Sequence, residues 1–165
     1  MAAMERHVHC GTRYNPIKTL SSRGLTWHSC GRDEKQVLLF SRPSLGLFWG
    51  KVVIEGEVHD FDAPGHSCRI DETDFWVDPE SRMHVPSAWD SRFEGPSGVM
   101  EVKAHAFTRA YYLWPNYKHG TTILYWWIGE ANVQCRLKDG REFIWEKVQY
   151  IVHDNRLLYR QHRGD

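Results

Sequence analysis

The sequence lacks any imbalance of charge: 21 Lys and Arg stand against 21 Asp and Glu, a formal net charge of zero with neutral histidines. Without net positive charge there is no long-range field to draw phosphates, so nucleic acid and anionic membrane surfaces are excluded as bulk partners. Long hydrophobic runs are lacking too. The longest unbroken one, Ile123–Ile128, falls far short of the roughly 20 residues of a spanning helix, and membrane insertion is not expected. Cysteine is sparse and scattered. Cys10, Cys30, Cys68 and Cys135 form no C-x-x-C pair, which removes the usual signature of zinc, iron–sulfur and dithiol sites and leaves unlinked structural thiols. Met1–His7 carries no apolar core of a secretory leader and no Asn-x-Ser/Thr acceptor occurs, so the expected compartment is cytoplasmic and reducing.

Catalytic punctuation is equally thin. There is no G-x-S-x-G elbow, no P-loop and no G-x-G-x-x-G after a strand, so serine-type acyl transfer, phosphoryl transfer and hydride transfer have no support and no cofactor is called for. The histidines of the strand region, His59, His66, His84, His105, His119 and His153, make no H-E-x-x-H or H-x-H arrangement, and no metal is expected.

Helical spacing is nearly absent, and what replaces it is alternation. A chain of 165 residues has room for one core. The composition divides it into a loose N-terminal arm over residues 1–24 and a single β-domain over 25–165. From Gln36 onward short apolar runs alternate with polar residues at the two-residue period of half-buried strands, as in 98–107 and 131–137. Glu55-Gly56, Gly95-Pro96-Ser97-Gly98 and Lys138-Asp139-Gly140 supply the turn chemistry between them. The expected fold is all-β: about eight to ten antiparallel strands in a meander that closes as a barrel, because closure removes exposed edges and a small barrel encloses one ligand.

Eight Trp and seven Tyr are the most informative part of the composition. Inward-facing rings would line a slot suited to an apolar, unsaturated or cyclic molecule. Adjacent strand residues face opposite sides, so only one of Trp126 and Trp127 can point inward. Trp49, Trp76, Tyr111, Trp126 and Tyr150 are taken as walls. In the polar stretch 66–76, Arg69 and Asp71 fall on one strand face, where they form either a plain salt bridge or a site whose carboxylate is desolvated and kept as an acid. Asp71 is the chosen acid, with His66 or Glu130 as helper and Arg69 holding a polar end of the substrate. A proton donor beside electron-rich rings suits cyclisation, isomerisation or hydration of an alkene.

Leu124–Val133, followed by Asp139-Gly140-Arg141 and by Val148-Gln149-Tyr150, resembles the closing hairpin of lipocalin-like proteins of the hydroxyneurosporene synthase group. That group includes carotenoid hydratases and looks related to fungal decalin-forming Diels–Alderases. The resemblance implies a calycin barrel and a hydrophobic polyene, terpenoid or polyketide as ligand. Family members usually place their site between two barrels, whereas this chain has room for one, and Val148-Gln149 stands where the family has a glycine before the tyrosine. Pairing into a homodimer would rebuild a shared cavity. The function expected is therefore cofactor-free, non-redox chemistry on a small hydrophobic molecule, and the alternative is a non-catalytic carrier of such a molecule.

Overall fold

Among the described residues alternation becomes nine antiparallel strands: β1 (Arg23–Arg32), β2 (Lys35–Arg42), β3 (Leu47–Ile54), β4 (Glu57–Asp60), β5 (Cys68–Val77), β6 (His84–Gly95), β7 (Gly98–Asn116), β8 (Gly120–Leu137) and β9 (Glu142–Leu158). The structure is a computed structural model and describes residues 23–32, 35–42, 47–61, 67–79, 84–116 and 120–158. No helix occurs among the described residues, and so none long and apolar enough to cross a membrane. Apart from Arg23 and Gly24, which open β1, the expected loose arm lies outside the described residues.

The strands form two up-and-down meanders, β1–β4 and β5–β9, which a ladder between β1 and β9 joins into the order β4-β3-β2-β1-β9-β8-β7-β6-β5. The antiparallel all-β class is as expected. No ladder joins β4 to β5 among the described residues, so the sheet keeps two edges there. Those edges nevertheless converge. The Phe61 amide, just past β4, donates to the Gly50 carbonyl at 2.9 Å, and the Cys68 thiol at the start of β5 donates to the Phe61 carbonyl at 3.2 Å. A methyl group on Gly50 in β3 would sit 2.9 Å from the Phe93 ring of β6, so the two meanders face one another across a common interior.

Strand β1 went unrecognised in the sequence. Its residues RGLTWHSCGR show no clean alternation, and they are strand because β2 and β9 pair with them on both sides. The runs 121–128 and 131–137 are one continuous strand, β8. Along it Ile123, Tyr125, Trp127, Gly129, Ala131, Val133, Cys135 and Leu137 are all buried, an unbroken two-residue period. Hairpin chemistry is local: Glu55 (φ 53°) and Gly56 (φ 83°) join β3 to β4 as a two-residue turn, while Gly140 (φ 91°) lets β8 return as β9. The Arg141 amide caps this second turn on Asp139, holding that carboxyl below its ordinary range.

Two bulges interrupt the alternation of the strands flanking β8. Register slips between Ala106 and Thr108, so Phe107 is an extra residue on β7. Before it Met100, Val102 and Ala104 face inward; after it Arg109, Tyr111 and Leu113 do. Opposite Asn132, β9 carries both Glu146 and Lys147. Lys147 adopts φ 51° and its amide donates to the Asn132 side chain at 3.0 Å, which turns Tyr150, Val152 and Asp154 inward beyond Trp145. The hairpin end of the interior is apolar and packed by Leu39, Val52, Ile54, Phe93, Met100, Val102 and Leu137. Each such side chain stabilises the fold by about 1.5–3 kcal/mol. Cys135 lies there as well, its thiol pushed up to about 11 by burial and therefore inert as a nucleophile.

Candidate functional site

At the other end the interior changes character, because the β7 bulge has turned a guanidinium inward. Arg109 reaches Asp78, the residue just beyond β5, whose side chain is 0% exposed. Arg109 Nε donates to Asp78 Oδ1 at 2.8 Å, Arg109 Nη2 donates to the same oxygen, and the Tyr125 hydroxyl donates to Oδ2 at 3.2 Å. A lone buried carboxylate would cost several kcal/mol, so these donors are what allow Asp78 to stay inside. The guanidinium carbon lies 4.7 Å from the Tyr111 ring centre and 5.5 Å from that of Trp76, close enough for cation–π attraction to both.

An aromatic cluster surrounds this pair. Trp127 stacks on Tyr125 with ring centres 5.3 Å apart and meets Trp76 and Trp89 edge-on at 6.0 and 6.1 Å. Trp127 is 1% exposed whereas Trp76 is 39% exposed, so the cluster runs from the surface to the interior. Within it Trp127 Nε1 is buried and has no hydrogen-bond partner among the described residues. Asp154, register partner of Tyr125 on β9, is also fully buried and engaged.

The residues singled out in the sequence are scattered across this framework. Tyr111 and Trp76 belong to the cluster, and Tyr150 is buried on the same inward face of β9. Trp126 does not: the inward tryptophan of the pair is Trp127, and Trp126 is 42% exposed, its ring 6.2 Å from His153 on the outer face. Partial desolvation lowers the His153 pKa from its ordinary value. Trp49 is half-buried and alternates with the inward Gly50 and Val52 of β3. Glu130 lies between the inward Gly129 and Ala131, on the opposite face of β8. His66 lies outside the described residues.

Asp71 is not a buried acid. It is exposed on the outer face of β5, alternating with buried Ile70, and accepts from Arg69 Nε at 3.2 Å, the plain salt bridge of the two readings. Both partners being in water, Asp71→Asn is expected to change stability by less than about 1 kcal/mol in urea unfolding and to leave ligand affinity unaltered. A tenfold loss of affinity would return Asp71 to the site.

Asp78, Arg109, Tyr125 and Trp89 were missed as site residues, and Trp127 stood only as the alternative to Trp126. Strict alternation from Val99 assigns Arg109 to the outer face with Glu101 and Lys103, and only the glycine at 129, opposite the slip in β7, hints otherwise. Asp78 precedes Pro79 beyond the apolar Phe75-Trp76-Val77, a pattern that reads as an ordinary turn. No family model, curated protein or solved structure matches this chain.

Proposed function

We propose that the chain binds a small, mainly apolar, unsaturated or cyclic molecule at the Asp78–Arg109 end of its interior, and that its converging sheet edges close around it as a lipocalin-like barrel. The observation that carries this reading is the continuous aromatic path from half-exposed Trp76 to fully buried Trp127 and Tyr125, floored by an internally neutralised ion pair. Flat rings with matched charge beneath them suit a ligand with π surface and no net charge. A polyene, terpenoid or polyketide skeleton meets that description, as the resemblance of the β8–β9 hairpin to the hydroxyneurosporene synthase group implies.

Binding and release without chemistry is favoured over proton-assisted cyclisation, isomerisation or hydration. Those reactions need an interior proton donor, whereas Asp78 is committed to Arg109 and Tyr125, Asp154 is engaged and Asp71 sits in water. Retinol, a polyene that quenches indole fluorescence, tests the reading. Saturable quenching is expected, with Trp76→Ala weakening it about tenfold through loss of one aromatic wall, equivalent to ~1.4 kcal/mol. Absence of saturation, or equal binding by Trp76→Ala, would remove the site from this end of the molecule. Native mass spectrometry of protein from its own host reports a co-purifying molecule and the number of subunits together.

A further inference from the structure

Resting on that reading, we infer that the ligand carries a neutral oxygen acceptor, of the ketone, aldehyde or ester class, and that the indole N–H of Trp127 is the group that binds it. The argument begins from the cost of a buried donor left unpaired. Burying an N–H without a partner is unfavourable enough that native interiors almost always supply one. Trp127 Nε1 is buried, its ring is enclosed by Tyr125, Trp89 and Trp76, and it has no partner among the described residues. An indole donates and cannot accept, so what completes it must be an acceptor.

The charge of that acceptor follows from the neighbouring ion pair. Arg109 is already neutralised by Asp78, with the Tyr125 hydroxyl on the second carboxylate oxygen. An anionic head group would bring a further negative charge beside Asp78, where Asp154 on β9 is already a second buried carboxylate, and burying it would be costly. A carbonyl oxygen adds an acceptor and no charge. Ser91 Oγ and His59 Nε2 are likewise buried without a partner among the described residues, but Ser91 pairs with Val102 in the apolar hairpin end and His59 lies on β4, so neither enters the proposed contact.

Three probes of one shape separate the possibilities: 2-acetylnaphthalene, 2-isopropenylnaphthalene, in which a methylene replaces the oxygen, and 2-naphthoate. The expected result is that the ketone binds about tenfold tighter than the olefin and tighter than the carboxylate, and moves the Trp127 indole resonance downfield in a ¹⁵N–¹H spectrum while the olefin does not. Trp127→Phe keeps an aromatic ring and removes the N–H, and should abolish the ketone preference. Should that variant fail to fold, the indole resonance of the native protein decides by itself. Equal binding of ketone and olefin with no indole shift, as a buried water on the N–H would produce, overturns the inference but leaves the aromatic site standing. Tighter binding of 2-naphthoate, or a ketone preference that survives Trp127→Phe, overturns it too. If none of the three binds, both the inference and the proposed site fall.

Discussion

Arg109→Met is expected to lower stability by about 3–5 kcal/mol, the cost of stranding a buried charge once its partner is removed. Asp78 is fully buried and takes two of its three described hydrogen bonds from this guanidinium; the third comes from Tyr125. Methionine fills much of the arginine stem's volume and carries no charge, so the loss reports the stranded carboxylate more than a cavity. Adding Asp78→Asn should recover at least half of the loss, because a neutral amide needs no counter-charge. Urea unfolding followed by far-ultraviolet circular dichroism gives all four corners of this cycle. Single and double variants equally destabilised, or an Arg109→Met loss below about 1 kcal/mol, would show that Asp78 does not depend on Arg109.

The second large effect is expected at Gly129, which pairs with Ala106 beside the extra residue of β7. A Cβ there would lie 2.0 Å from the His105 carbonyl oxygen and 2.7 Å from the Ala106 Cα, and backbone atoms within a ladder cannot move aside as a flexible side chain can. Gly129→Ala should therefore cost about 4 kcal/mol or more, in the range reserved for serious steric conflict. Gly140→Ala is the comparison: that residue has φ 91° but nothing within 4 Å of a built Cβ, so only the left-handed backbone opposes it and about 1 kcal/mol is expected. Thermal unfolding of the two variants side by side decides. If Gly129→Ala is no worse than Gly140→Ala, the close approach at the bulge is relieved by a small shift, and the inward turn of Arg109 does not require glycine at 129.

Both predictions concern a place where alternation fails, and that is where the sequence stopped being readable. Patterning along β8 is complete, so the choice between Trp126 and Trp127 was already a choice between two faces, although which face was inward was not. Arg69 and Asp71 were correctly put on one side of β5, and their exposure follows from Ile70 being the buried neighbour. Arg109 could not be placed, since one inserted residue on β7 reverses its side and no local signal at Phe107 announces the slip. Strand β1 is a second case: its Ser, Gly, Arg and His content resembles a linker, and its strand conformation comes from hydrogen bonds offered by β2 and β9.

By itself the sequence determined the all-β class, the meander of short connections, the turns at Glu55-Gly56 and Lys138–Gly140, and the presence of more large rings than a small core usually needs. These depend on side-chain period and on backbone preferences a few residues long, which any chain carries before it folds. Only the tertiary structure decided which rings meet, that the two sheet edges converge at Phe61, and that a carboxylate just beyond β5, a guanidinium of β7 and a phenol of β8 share one buried site. The reason is that a bulge or a ladder partner is selected by the summed fit of distant strands, and its consequence for facing is all-or-none: one residue of slip moves every later side chain to the other side of the sheet.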